Sequence, residues 1–330
     1  MKYKTLFVSL LLLPASLLIQ NFTSSTIEKS IPSVPKPDLS GKISLSGAYA
    51  LYPMVVRWGE EFRKLHPGVT IDVQGGGAGK GMTDVLSGTV SFGMVSREIA
   101  PEEVSKGAYA VAVCKDAVIP TINPNNPYLA TIKQKGITRQ QFYKIFITGE
   151  ITTWGELLGI KSMKPIKLFT RSDAAGAAES WAKFLGSNYK QEDLVGTGVF
   201  GDPGLAQAVS KDPLALGFNN INFVYDVTTR KPQPGLLACP IDFNGNGSWD
   251  ANENVYSSLD AIDDATASGA YPSPPARQLY LVSKGKPTNA LQLAFLQWIL
   301  TDGQKYVDEA GYVKLPDDLL KKQATALSSK

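Results

Sequence analysis

Leu51, Met54, Val55, Trp58, Phe62 and Leu65 recur three and four residues apart. That spacing lays one apolar stripe along a helix. His66-Pro67-Gly68 ends it, because proline and glycine cannot continue the helical pattern. Residues 41–45 precede the helix as a short strand, and residues 69–73 follow it, alternating apolar and polar like a half-buried strand. The glycine-rich run QGGGAGKGM over residues 74–82 comes next, then a short helix over about 81–86 and a strand over 90–95. The order is β-loop-α-β-loop-α-β, with a polar or glycine turn after each strand. Ligands in open α/β sheets sit beyond the carboxyl ends of the strands, so the turns at 46–50, 74–80 and 96–97 are expected to share one site.

The pattern continues downstream. Residues 108–122 form a strongly apolar, β-branched run broken by Lys115 and Asp116 and closed by the turn cluster NPNNP. Residues 138–147 and 153–158 read as helices. A strand over 166–169 leads into RSDAAGAAESWAKFLG, whose Ala178, Trp181, Ala182 and Leu185 share one helical face. Strands are expected over 216–223, 236–241 and 279–282, and LQLAFLQWIL over 291–300 is a helix with a heavy apolar load. No repeat of fixed period is present. Alternating strands and helices predict an α/β fold.

A chain of 330 residues, 43% hydrophobic, is long enough for two packed cores. Its N-terminus reads MKYKTLFVSLLLLPASLLIQ: two lysines, then an apolar run broken by Pro14, the form of a removable secretory signal, with an uncleaved anchor as the alternative. The expected signal is 1–24, its end approximate, followed by a Ser, Thr and Pro-rich flexible leader over 25–40. Losing Lys2 and Lys4 lowers the formal charge from +3 to +1. Such a body is no binder of nucleic acid. Export permits a disulfide, but Cys114 and Cys239 both lie in apolar strand-like runs, which favours buried thiols. One histidine and two cysteines argue against zinc.

The glycine run fits neither phosphate-binding fingerprint. Lys80 stands where the third glycine of G-x-G-x-x-G is due, and Gly81 follows Lys80 where a P-loop needs Ser or Thr. It predicts backbone amides entering a helix N-terminus, a generic anion site, with Lys80 adding charge; glycines serving packing alone are the alternative. Arg171-Ser172-Asp173 opens a second such turn beside Gly176, where a guanidinium offers a bidentate contact to an oxyanion. An Arg171–Asp173 pair that holds the loop is compatible with it. Ser96-Arg97-Glu98 is a weaker version, with Arg97 alternatively a solvated charge.

Residues 242–253, DFNGNGSWDANE, match a different chemistry. Asp242, Asn244, Asn246, Asp250 and Glu253 fall at positions 1, 3, 5, 9 and 12 of a calcium loop, with Gly247 at position 6 and the Ser248 carbonyl at position 7. Alternate oxygen-bearing side chains converge on a hard cation. Pro240 and the strand-like residues before it exclude a paired helix-loop-helix, while a helix carrying Tyr256, Leu259 and Ile262 is expected after it. A bound Ca2+ would be a structural brace; an Asx-rich turn without metal is the alternative. Catalysis has little support. His66 sits at a helix end, no nucleophile elbow or metalloprotease motif occurs, and Glu60-Glu61 and Asp263-Asp264 read as solvated.

Taken together, SGAYALYPM, VQGGGAGKG, SFGMVSRE, RSDAAGAAESWAKFL, GFNNI and AFLQWILTDGQKYVDEAGYVKLP resemble the phosphate-binding proteins of ABC importers, from about Gly41 to Pro316. The resemblance implies a two-lobed, periplasmic-binding-protein-like α/β fold with crossing hinge strands: residues 41–114 plus 275–330 as lobe 1, and 115–274 as lobe 2. It also implies anion contacts from Ala48 and Tyr49, Ala78, Ser96, and Arg171 with Ala175, Gly176 and Ala177. Lys80 and Arg97 join this set on charge. The family commonly has Ser or Thr where this chain has Ala48, Tyr49, Ala78, Ala175 and Ala177. Backbone amides and Arg171 survive those changes, but each hydroxyl lost to a charged acceptor costs on the order of 1.5–3 kcal/mol unless replaced. The expected function is an exported solute-binding protein, at the periplasm or cell surface. It is expected to be monomeric, to hold inorganic phosphate or another small oxyanion, and to deliver it to an importer permease. The competing class is a calcium-stabilised exported binding or adhesion module that reuses the fold without transport.

Overall fold

The computed structural model describes residues 39–329. The expected signal segment, and the leader up to residue 38, lie outside the described residues. The chain opens with strand β1 (Ser40–Gly47), helix α1 (Tyr52–Leu65), β2 (Gly68–Gly75), α2 (Ala78–Ser87), β3 (Phe92–Val95) and α3 (Pro101–Ser105). The long β4 (Ala108–Ile122) follows, then α4 (Leu129–Lys135), β5 (Ile137–Thr138), α5 (Arg139–Phe146) and α6 (Trp154–Leu158). Next come β6 (Lys167–Arg171), α7 (Gly176–Leu185), β7 (Thr197–Val199), α8 (Gly201–Lys211), β8 (Ala215–Asn220) and α9 (Ile221–Val224). The chain closes with β9 (Leu237–Ala238), β10 (Ile241–Asp242), α10 (Leu259–Ser268), β11 (Ala276–Lys284), α11 (Ala290–Leu300) and α12 (Asp317–Ser328).

The main sheet runs β2-β1-β3-β11-β4-β8-β6-β7, with β9 added to β4. Its flanks are parallel: β1 with β2 and β3, β6 with β7 and β8. Its middle is antiparallel, through β11 and β4. Two hydrophobic cores form. One is built by Ile43 through Cys114 together with Leu279 through Leu327; the other lies within Ala117–Ala276. Strand β4 crosses from one core to the other between Cys114 and Ala117, and β11 crosses back between Ala276 and Leu279. These are the crossing strands of a two-lobed fold. Valine, isoleucine, threonine and alanine make up most of β4 and suit it to this double burial.

Four local expectations change. Helix α2 starts at Ala78 rather than 81, because Gly77, at φ 85°, ends the loop sooner. The strand expected over 216–223 stops at Asn220, which caps α9 in extended conformation. The run 236–241 splits into β9 and β10 around Pro240, whose missing N–H breaks the ladder. The helix after the calcium-type loop begins at Leu259, beyond Tyr256, where the Ser258 hydroxyl accepts from the Ala261 amide at 3.2 Å. Cys114 and Cys239 are buried free thiols. Among the described residues no helix is long and apolar enough to cross a membrane.

Candidate functional site

Parallel strands deliver their carboxyl ends to one place. Ala48 and Tyr49 follow β1, the glycine loop follows β2, Ser96 follows β3, Arg171 ends β6 and Phe200 follows β7. The Tyr49 ring stands edge-on to Phe200 at 6.4 Å between centroids, with the Arg171 guanidinium 6.0 Å from its centre. Gly77 and Gly79 abut Asp173 and Ala174, and Gly176 abuts Ser96; a Cβ on any of the three would lie within 2.7 Å of the facing atom. The two lobes therefore touch here. The Gly79 amide donates to the Ala174 carbonyl at 3.0 Å, and Lys183 pairs with Glu98 at 2.9 Å.

Arg171 is the centre. Its side chain is 1% exposed. Nε and Nη2 donate to the two oxygens of Asp173 at 2.8 and 2.6 Å, and Nη1 donates to Asp202 Oδ2 at 2.6 Å. Burial alone would lower its pKa, but the Asp202 and Asp173 charges outweigh it and raise the value. Asp173 resists its own desolvation through the same pairing and the Gly201 amide, and titrates below the usual carboxylate range. Burial, then the Asp173 charge, raises the Tyr49 phenol.

The pairing continues inward. Asn220 donates to Asp202 Oδ1 at 2.6 Å and accepts from Arg277 Nη2. Arg277 Nε donates to Asp116 Oδ1 at 2.9 Å, and Nη1 to the Ser180 hydroxyl at 3.0 Å. Asp116 and Arg277 face each other across β4 and β11 at the crossing. Desolvation pushes Asp116 up to about 6 even though Arg277 opposes the shift. One buried polar chain thus runs from the cleft to the hinge, with three carboxylates on two guanidinium groups.

The other expected ligands fare unequally. Ala78, Gly176 and Ala177 occupy the first turns of α2 and α7, where backbone N–H groups lack intrahelical partners. Ala48, Ala78, Ala175 and Ala177 are buried. The expectation of a run of exposed amides needs correction. Ala48 N–H donates to the Met94 carbonyl and Gly77 N–H to Gly47, while Ala175 N–H donates to the Gln191 side chain at 2.8 Å. Lys80 pairs with Asp84, which also holds the Ser46 hydroxyl at 2.7 Å. Arg97 is no solvated charge: it makes a two-pronged contact to Glu103 at 2.8 and 2.6 Å. An open pocket of about 520 Å³ lies at the mouth, lined by Gly79, Arg97, Arg171, Ala175, Glu179 and Glu192. Asp202 and Asn220 escaped the sequence reading. Asp202 sits on α8 in a segment without a motif, whereas Asn220 lies in GFNNI, one of the stretches that carry the family resemblance.

Asp263 also needs correction. Its Oδ1 is buried without a partner, its Oδ2 lies 3.2 Å from Arg230, and burial raises it to about 7. Asp242 and Glu253 of the calcium-type loop are 2% and 4% exposed. Among the described residues no three His, Cys, Asp or Glu side chains gather as a metal cluster.

A family model described as a PBP superfamily domain matches residues 32–303. A phosphate-binding protein PstS of Pseudomonas aeruginosa is 27% identical, covering 98% of both chains. One of Xylella fastidiosa is 24% identical over 90% of this chain and 88% of its own. Among solved structures, a putative phosphate ABC transporter substrate-binding protein from Clostridium perfringens, with bound phosphate, superposes at TM-score 0.67. It is 22% identical over 84% of this chain and 100% of its own. An ABC-type phosphate transport receptor from Vibrio cholerae gives TM-score 0.60 at 19% identity, over 83% of this chain and 100% of its own. These structures share the fold.

Proposed function

The chain belongs to the PBP superfamily, and from that membership we propose that it is an exported solute-binding protein of an ABC importer, holding phosphate or a related oxyanion between its lobes. The full-length relatives named as phosphate-binding proteins support this ligand class, and they point to a binding protein rather than an enzyme. The observation that carries the reading is Arg171. It is a buried guanidinium at the end of β6, at the contact of two lobes, beside the first turns of α2 and α7. Lobe 1 spans 41–114 plus 275–330 and lobe 2 spans 115–274. The protein works as a monomer outside the cytoplasmic membrane, in the periplasm or at the cell surface, and hands its ligand to a permease.

The ligand has to compete. Asp173 and Asp202 already hold the guanidinium, so an oxyanion takes Nη1 from Asp202 and uses the helix amides in place of the missing hydroxyls. The test is calorimetric titration with phosphate of the wild type and of Asp202→Asn. Micromolar binding by the wild type, at least tenfold tighter in the variant, is expected. No heat from either at millimolar phosphate sinks the reading.

That outcome, with the fold intact, would favour the second reading, a calcium-stabilised exported binding or adhesion module without transport. Its motivating observation is the pairing of Lys80, Arg97 and Arg171 with carboxylates, alongside alanines at 48, 78, 175 and 177.

A further inference from the structure

We propose that residues 242–253 bind one calcium ion, with Asp242, Asn244, Asn246, Asp250, Glu253 and the Ser248 carbonyl as ligands, and that the ion fastens this loop to the segment bearing α4 and β5. The inference is independent of what occupies the cleft.

The first observation is the twelve-residue pattern itself, D-x-N-x-N-G, then five residues, then glutamate, which matches the calcium-loop motif at every constrained position. The second is burial without a paired cation. Asp242 and Glu253, at the two ends of the loop, are 2% and 4% exposed. None of the ion pairs among the described residues involves either of them or Asp250. No lysine, arginine or histidine occurs anywhere from residue 232 to 276. Buried carboxylates are ordinarily paired with a cation or bound to a metal. Here the chain supplies no cation, so the countercharge comes from outside.

The arrangement suits a hard ion with oxygen ligands. Asp242 accepts one amide on each oxygen, from Gly245 at 2.7 Å and Gly247 at 2.8 Å, leaving about two of its four acceptor sites open. Glu253 accepts from the Phe243, Asn244 and Asp250 amides at 2.8, 3.1 and 3.0 Å. Asn244 and Asn246 both donate to Asp250 Oδ2, at 3.1 and 2.8 Å, so the side chains of loop positions 3, 5 and 9 already meet. The ion replaces those two amide groups on Asp250 and draws the three carboxylates into one shell. Calcium tolerates this mix of carboxylate, amide and backbone oxygens; magnesium demands a tighter octahedron. The loop's attachment explains what binding does. Asp242 pairs with Thr138 in β5, and the Trp249 amide donates to the Gln134 carbonyl of α4 at 3.0 Å.

Trp249 makes the test direct, since its indole N–H donates to the Glu253 carbonyl at 3.2 Å. The purified protein, stripped with chelator, is titrated with terbium under indole excitation and then with calcium. Thermal melts are recorded with calcium, with magnesium and with chelator. One equivalent of terbium emission that calcium displaces, lost in Trp249→Phe, is expected, together with a melting temperature several degrees higher in calcium but not in magnesium. Glu253→Gln should abolish both responses. Should that variant fail to fold, Asn246→Ala, at an exposed position, should still fold and bind calcium at least tenfold more weakly. Terbium emission that persists in Trp249→Phe, identical melts with calcium and chelator, or unchanged affinity in Asn246→Ala overturns the proposal.

Discussion

Arg171 stood out in the sequence because arginine after a strand and before a glycine-opened helix is uncommon chemistry at a turn. Its nearer partner, Asp173, was visible two residues away. Asp202 was not, because it is thirty-one residues distant on α8 and only the fold brings it within 2.6 Å. The pair of carboxylates makes Arg171 structural as well as functional. Arg171→Met would leave both without their cation, and a chemical-denaturation comparison should show a loss on the order of 3–5 kcal/mol; a loss below 1 would mean that the pairs count for little. Asp263 behaves oppositely. Its folded value, about 7, lies above its ordinary 3.8, so the folded state binds the proton more tightly. Its contribution is fully present below pH 4 and is lost as pH rises through 7. Asp263→Asn should therefore flatten that decline and raise stability at pH 8 by on the order of 1–3 kcal/mol. Urea melts at pH 5 and pH 8 that show the wild-type slope in the variant would refute this.

At the scale of elements, helices with a wide apolar face and strands between turn clusters were readable, since α1, α5, α7 and α11 all follow their spacing. The segment 236–258 was less so. Its short strands β9 and β10 exist only because β4 and β5 offer edges to pair with, and no local pattern announces an edge. The glycines illustrate the same limit. The sequence suggested amides for an anion; the structure adds close contact. A Cβ at Gly176 would lie 2.3 Å from Ser96 Oγ and 2.4 Å from the Ser96 carbonyl oxygen, in the other lobe. Gly176→Ala should hold the cleft apart while leaving each core intact. Small-angle scattering should then report a larger radius of gyration than the wild type, at nearly unchanged melting temperature. Equal radii would show that closure does not depend on this approach.

The whole molecule closes on its own side chains. Every charged group expected to greet an anion is already paired, and the buried chain from Asp173 to Asp116 ties the cleft to the crossing strands. The two-lobed architecture was legible because several short stretches in fixed order resemble one family. The saturation of Arg171 was not, since it depends on which distant carboxylates the closed form gathers. The crossing strands carry a last consequence, for the order in which the molecule is made. The second core is contiguous, within Ala117–Ala276, whereas the first needs Leu279 through Leu327 to complete it. During synthesis the middle of the chain has everything required to fold before the beginning does. A chain ending at residue 276 should therefore protect amides of β6 and β8 from hydrogen exchange while those of β1 and β2 exchange freely. The first lobe made is the last one finished, and its apolar face stays uncovered until the final helices leave the ribosome.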